Sequence, residues 1–382
     1  MPKTLPFCLA YIFPFLILLS GQGGWMMLTI PIFIFAFVPF LDILSGIDLF
    51  NPSSENENEL RNNLFFRFIT WFWVPVELGL TAYGMWWILQ AGRTPLEIIG
   101  MIAAIGMTNG VIGITFAHEL MHKSSRLEKF LAEVLMTTVS YPHFCVEHIL
   151  GHHKKVGTFS DAATARFGEN FYSFYWRAIT TSCWSAWTIE VNRLKRLGLP
   201  VWLNRVLRYG LTLAIIYAAI WVGFGWLAVC FFALQSLIAF TSLEMTNYIE
   251  HYGLVRKEIS PGVYEPTQPK HSWNSGHRVS NWFLINLARH SDHHFIASKR
   301  YQLLTNCQDT APQLPFGYGT MFLIALIPPL WFRLMNPRVL AWRQDKISVR
   351  EHKPWLKLCF SFSPIDLLAV LAKMRKYCQR LI

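Results

Sequence analysis

The sequence predicts an all-α integral membrane protein: six transmembrane helices that carry a histidine-rich cap on their cytoplasmic side. Three observations predict it. Of 382 residues, 53% are hydrophobic and only 15% charged, and mean hydropathy is +0.31. The apolar residues gather into six runs, most long enough to cross a bilayer, which takes roughly 17–25 mostly apolar residues. Nine of the thirteen histidines fall into four groups placed just outside those runs.

In chain order, residues 1–117 hold four spans: Leu5–Ser20, Trp25–Leu44, Phe68–Leu89 and Pro95–Ala117. The first and fifth runs are short and reach spanning length only with flanking small or polar residues. Very short turns, Gly21–Gly24 and Ala91–Thr94, fold these spans into hairpins, with a polar loop at 45–63 between them. Ser20-Gly-Gln-Gly-Gly24 lacks a small-residue cleavage site and a second span follows at once, so the first run reads as a span, not a signal peptide. Residues 118–205 form a first cytoplasmic segment with two histidine groups and a helical stretch at Leu127–Val139. Residues 206–250 hold two more spans, Tyr209–Val222 and Trp226–Met245, around the turn Gly223–Gly225; the sixth runs on into His251. Residues 251–345 form a second cytoplasmic segment with the last histidine group. There Pro328-Pro329 interrupts the apolar stretch Gly317–Met335, and a seventh span would carry the basic tail outside. An interfacial or re-entrant hairpin is therefore expected. The tail, 346–382, reads from Pro364 as a basic amphipathic helix on the membrane surface. The whole is one membrane domain.

The three hairpin turns carry one basic residue, Arg93, and essentially all other Lys and Arg lie in the loops and termini. The positive-inside rule then makes both termini and all histidine groups cytoplasmic. A formal net charge of +11 suits anionic lipid or a small acidic partner. Nucleic acid is discounted, because the charge flanks membrane spans. The seven cysteines form no C-x-x-C pair, which excludes zinc ribbons, iron–sulfur clusters and rubredoxin-type iron within this chain. Cys145, near the second histidine group, reads as a plain buried thiol.

The histidine groups are His118-Glu-Leu-Met-His122, His148-Ile-Leu-Gly-His152-His153, the lone His251, and His290-Ser-Asp-His293-His294. Residues at i, i+3 and i+4 share a helix face, so each multi-histidine group is expected to aim at one point. Nine imidazoles are too many for one metal ion and suit two. Imidazole serves iron, zinc, copper and nickel, so the histidines do not name the metal. Two structural zinc ions would be saturated by eight ligands; nine shared between larger coordination spheres leave open positions, as oxygen chemistry requires. A metal transporter is the distant alternative, and it would need polar residues along several spans. Only Glu77 and Asn109 stand out there. An intramembrane carboxylate is a functional candidate by default, and Glu77 paired to a group such as Asn109 is the plainer expectation.

Asn247-Tyr-Ile-Glu-His251-Tyr-Gly-Leu254 resembles the fourth histidine motif of membrane-bound alkane 1-monooxygenases, non-haem di-iron hydroxylases of the fatty-acid desaturase superfamily. His271-Ser-Trp-Asn-Ser275, Arg289-His-Ser-Asp-His-His294 and Leu314–Arg338 are similar to that family as well, and the likeness covers residues 25–345. The resemblance implies a di-iron cap with two Fe ions held by His118, His122, His148, His152, His153, His251, His290, His293 and His294. It implies O2 as co-substrate and a rubredoxin- or ferredoxin-type carrier with its NAD(P)H-dependent reductase. The substrate would be an apolar alkyl chain drawn from membrane lipid, hydroxylated at its terminal methyl group, in a bacterial inner membrane. A xylene-type methyl hydroxylase or an acyl desaturase of the same superfamily is the alternative. Metal-ligating histidines usually donate their far nitrogen to a carboxylate or carbonyl, and Glu119, Glu147, Asp161, Glu250 and Asp292 are the nearest candidates. His143, His271 and His277 fall outside the spacing and read as structural, and His352 as a tail residue. In the stripe Phe33, Ile34, Phe37, Phe40, the side chains of Ile34 and Phe37 are candidates for limiting substrate length.

Overall fold

Two glycines with positive φ, Gly23 (80°) and Gly24 (56°), turn the chain between α1 (Leu5–Ser20) and α2 (Gly24–Ser45) in the computed structural model, which describes residues 5–344. The expected loop 45–63 contains a short helix, Ser54–Asn62, that leads into α3 (Leu64–Ile88). The next turn passes through Gly92 at φ 83° into α4 (Pro95–Met121). Thr94 and Glu97 form a capping box there and Pro95 opens the helix, which fixes its start. Next come α5 (Arg126–Thr138) and α6 (Phe171–Leu197). The long α7 (Arg205–His251) is broken at Gly225, whose φ of 79° and ψ of −178° no helix accommodates. A small antiparallel hairpin follows, β1 (Glu258–Ser260) with β2 (Val263–Tyr264). Then α8 (Tyr318–Ala325) and α9 (Pro328–Arg343) meet at 119°, broken at the expected prolines.

Among the described residues four helices are long and apolar enough to cross a membrane: α2, the segment Glu55–Ile88, α4 and α7; α1 is a shorter apolar helix. Phe15, Trp25, Phe40, Phe72, Leu96 and Val222 lie exposed on their outer faces, the surface expected of a bundle bathed in lipid. The apolar window of α4 is 67% buried, against 11% for α7, so α4 forms the axis of the bundle. Helical irregularities cluster along it and its neighbours: π-turns, closed by i→i+5 bonds, occur at Phe33–Phe37 in α2, Asn109–Gly113 in α4 and His148–His152. The expected tail helix and His352 fall outside the described residues.

The cap is tied to the bundle by buried polar contacts. Asp42, near the end of α2, accepts the backbone N–H groups of Val279 (2.8 Å) and Ser280 (3.0 Å), anchoring the short helix Arg278–Phe283. The buried guanidinium of Arg289 donates to the carbonyls of Phe50 and Leu304 and to Asp48, and so clamps the 48–50 loop to the residue that precedes His290.

Candidate metal centre

The nine grouped histidines converge from four elements at one end of the bundle. His118 and His122 lie at the end of α4, and His148, His152 and His153 in the helical run 144–155. His251 is the last residue of α7, and His290, His293 and His294 belong to the helix His290–Phe295. They form two sets. His118, His122, His148, His153 and His293 bring one ring nitrogen each within 4.8 Å of one another; His152, His251, His290 and His294 do the same.

The second and fourth sequence groups therefore do not aim at single points. His293 joins one set while His290 and His294, one turn apart, join the other. His148 and His153 share a set although five residues apart, a spacing that would diverge on an α-helix. The π-turn His148–His152 is the reason: its wider turn stacks i on i+5 and turns His152 toward the second set.

The rings face each other through Nε2. His148 and His122 approach to 3.0 Å, His153 and His148 to 3.1 Å, and His293 and His153 to 3.2 Å. In the second set His152 lies 3.2 Å from His294, and His290 3.2 Å from His251. The ring centroids of His153 and His294, one from each set, are 4.4 Å apart, so the two sets adjoin. Burial, reinforced by neighbouring imidazoles, holds His122, His148, His153, His293 and His294 well below the usual histidine range. Neutral rings with lone pairs crowded on a common point have no favourable arrangement among themselves. A cation at each point resolves the crowding, and an all-imidazole donor set fits a transition metal.

The candidate carboxylates fall in different places. Asp161 reaches the far nitrogen of His152, at 2.9 Å from Nδ1, and accepts the Thr164 hydroxyl at 2.6 Å. Burial opposes its charge, but His152 and these hydrogen bonds outweigh it and keep the carboxyl below its usual range. Glu250 lies on the opposite, inner side of its ring: Oε2 is 3.0 Å from Nε2 of His290, and Oε1 accepts from the Tyr318 hydroxyl at 2.6 Å. Glu119 pairs with Lys123 at 2.9 Å and Asp292 with Lys299 at 2.7 Å, so neither carboxylate is spent on a ring nitrogen. Glu147 packs against Gly151, and its pKa is pushed up to about 8, by burial first and by Asp161 second. The far nitrogens of His118, His148, His290, His293 and His294 have no hydrogen-bond partner among the described residues, while that of His251 lies 3.5 Å from the Ser272 hydroxyl. His143 packs edge-on against Tyr141, His271 contacts Glu265 and His277 contacts Ser275, all outside the two sets.

Within the bundle, two adjoining cavities lead toward the histidines. An inner one of about 40 Å³ is lined by His118, His148, His290, Phe144 and Asn247. An outer one of about 80 Å³ is walled by Phe13, Ile34, Val38, Phe283 and Phe322. Gly110, Thr115, Thr246, Glu250 and Leu287 line both, which makes them the join. Of the two candidates in α2, Ile34 faces this cavity. Phe37 does not: it is 47% exposed and stacked on Phe33, because the π-turn Phe33–Phe37 rotates it away from the face Ile34 presents. Tyr318 was not singled out in the sequence. Neither was Glu244, which accepts from Tyr141 (2.9 Å) and Asn247 (3.2 Å) beneath the site. Glu244 precedes His251 by seven residues, two helical turns on the same face, and that spacing was its available signal.

Over 324 residues the chain is 41% identical to alkane 1-monooxygenase 2 of Pseudomonas aeruginosa, covering 84% of this chain and 85% of that one. Alkane 1-monooxygenase 1 of Alcanivorax borkumensis is 36% identical over 344 residues, 89% and 84% of the two chains. The chain belongs to the alkane 1-monooxygenase family. Residues 93–325 match the fatty acid desaturase family, a stretch that holds all nine histidines and sets the alkane 1-monooxygenases within that superfamily. The hydroxylase component of xylene/toluene monooxygenase from Pseudomonas putida is a more distant relative, 31% identical over 274 residues (70% of this chain and 71% of that one). Membership makes the chain an oxidoreductase, a membrane monooxygenase with a histidine-rich metal centre.

Proposed function

We propose that this chain hydroxylates the terminal methyl group of alkanes or alkyl chains at a di-iron centre. The observation that carries the proposal is the partition of nine clustered imidazoles into sets of five and four where an apolar cavity meets them. His118, His122, His148, His153 and His293 would hold one iron, and His152, His251, His290 and His294 the other. Two irons held there would supply, with O2 and two electrons, the oxidant for a C–H bond: R–CH3 + O2 + 2e⁻ + 2H⁺ gives R–CH2OH + H2O. The chain's own share is placement and exclusion of water. Phe13, Ile34, Val38 and Phe322 bind the alkyl chain by burial, and the join at Thr246 and Leu287 directs its end toward His118, His148 and His290. Asp161 fixes the ring of His152, and Tyr318 orients the Glu250 carboxylate beside His290.

The break at Gly225 divides α7 into two apolar halves. With α1, α2, α3 and α4 these would make six crossing segments, whose hairpin turns carry only Arg93. That distribution supports a cytoplasmic histidine cap in a bacterial inner membrane. Electrons would then arrive from a soluble rubredoxin- or ferredoxin-type carrier and its reductase. His122 and His153, the two partly exposed rings, make the five-histidine set the accessible side.

The test supplies membranes holding the protein with such a carrier, its reductase, NADH and 18O2, and offers octane and p-xylene separately. 1-Octanol carrying one 18O is expected. Oxidation of xylene with no octanol would overturn the alkane assignment in favour of an aryl-methyl hydroxylase.

A further inference from the structure

The five-histidine set depends on His118 in the last turn of α4 and on His122, which directly follows it, and α4 reaches them through the π-turn Asn109–Gly113. A π-turn inserts one residue into an α-helix, so everything beyond it is rotated by about 100° and advanced by about 1.5 Å relative to an uninterrupted helix. Without that turn, a helix held at its start by the Thr94–Glu97 capping box would aim both imidazoles away from the other three. Such a turn forfeits regular hydrogen bonds and persists only where its surroundings favour it.

Its surroundings are unusually polar for the interior of a membrane bundle. Glu77 of α3 is fully buried, and its carboxylate lies directly against Gly113, the last residue of the turn, in space that any side chain at 113 would fill. The same carboxylate accepts from the Trp73 indole at 3.0 Å and from the Thr138 hydroxyl at the end of α5. Trp73 also packs edge-on against Phe116, two residues before His118. At the other end of the turn, the Asn109 amide donates to Thr81 of α3 and to Gln235 of α7, each at 3.1 Å. Gln235 in turn donates to the Thr138 carbonyl at 2.8 Å. Both ends of the turn are thus held by one closed network, and Thr138 is gripped from both sides. A carboxylate in a bundle interior is costly, and this one touches neither the cavities nor the histidines.

We infer that Glu77 is a positioning residue for the five-histidine set, holding the α4 π-turn in the form that directs His118 and His122. The inference rests on the two-metal proposal above. The test is a Co(II) titration of detergent-purified apoprotein, followed by the visible d–d bands. His118→Ala and His251→Ala mark which binding step belongs to which set. Glu77→Leu is expected to weaken the His118-marked step about tenfold or more, the scale of lost support around ligand histidines. It should alter that step's band pattern and spare the His251-marked step. Glu77→Gln should restore both, because its oxygen accepts from Trp73 while its amide donates to Thr138. If Glu77→Leu does not fold, Trp73→Phe and Thr138→Val each remove one contact and should give a graded form of the same selective loss. Unchanged affinity and bands at the His118-marked step would overturn the inference. Equal weakening of both steps would also overturn it, reducing Glu77 to general support. Wild-type protein that takes up fewer than two Co(II) would instead count against the two-metal proposal itself.

Discussion

Asp161 is the one acidic candidate whose carboxylate holds the far nitrogen of a grouped histidine, through the 2.9 Å contact to His152. Removing it leaves the ring free to turn. Asp161→Ala should therefore weaken metal binding at the four-histidine set by roughly 10–100-fold while the protein stays folded. Metal titration with a thermal melt of the same sample checks both halves. The remaining rings make a pH prediction. His293 and His294 stay neutral in the fold to well below their ordinary value of 6.5, whereas the unfolded chain protonates near it. Above pH 6.5 the two states bind the same protons and these rings do not alter stability. Below it the unfolded chain takes up protons that the fold refuses, so the apoprotein loses stability as pH falls. Its melting midpoint should be lower at pH 5.5 than at pH 7.5; a flat profile would contradict buried neutral imidazoles.

Among the elements, the π-turns decide which side chains do the work. In α2 the turn Phe33–Phe37 leaves Ile34 in the cavity wall and Phe37 on the outer surface. Ile34→Ala should extend the products to longer chains, since it removes three carbons of wall, and Phe37→Ala should leave the profile as it was. Gas chromatography of the alcohols from an alkane series separates the two variants. A shift with Phe37→Ala and none with Ile34→Ala would place the length limit elsewhere. Gly225 acts differently. Its positive φ breaks α7 into two apolar halves, and a residue with a side chain there would be strained.

For the whole molecule, the bundle was legible because lipid demands long apolar runs and turns demand glycine, both plain at Gly21–Gly24 and Gly223–Gly225. The grouped histidines were legible because their spacing has no other common use. Their division into five and four was not. Spacing assumes a regular helix, and the π-turn that pairs His148 with His153 leaves no mark in the sequence. Gln235 and Glu244 were hidden for another reason, as single polar residues inside a strongly apolar run whose average they barely change. In the structure both are spent on hydrogen bonds within the bundle, so they add no support to a transport path. Topology is testable at this scale. Reporter fusions at 91–94 should mark the periplasm and fusions at Gly262 the cytoplasm; the reverse pattern would put the histidine cap on the wrong side for a soluble electron donor. The measurement nearest the central claim is the metal content of the purified, reconstituted protein. The account predicts two irons per chain, falling to about one in His118→Ala combined with His122→Ala; a folded wild-type chain that binds one ion or none would contradict it.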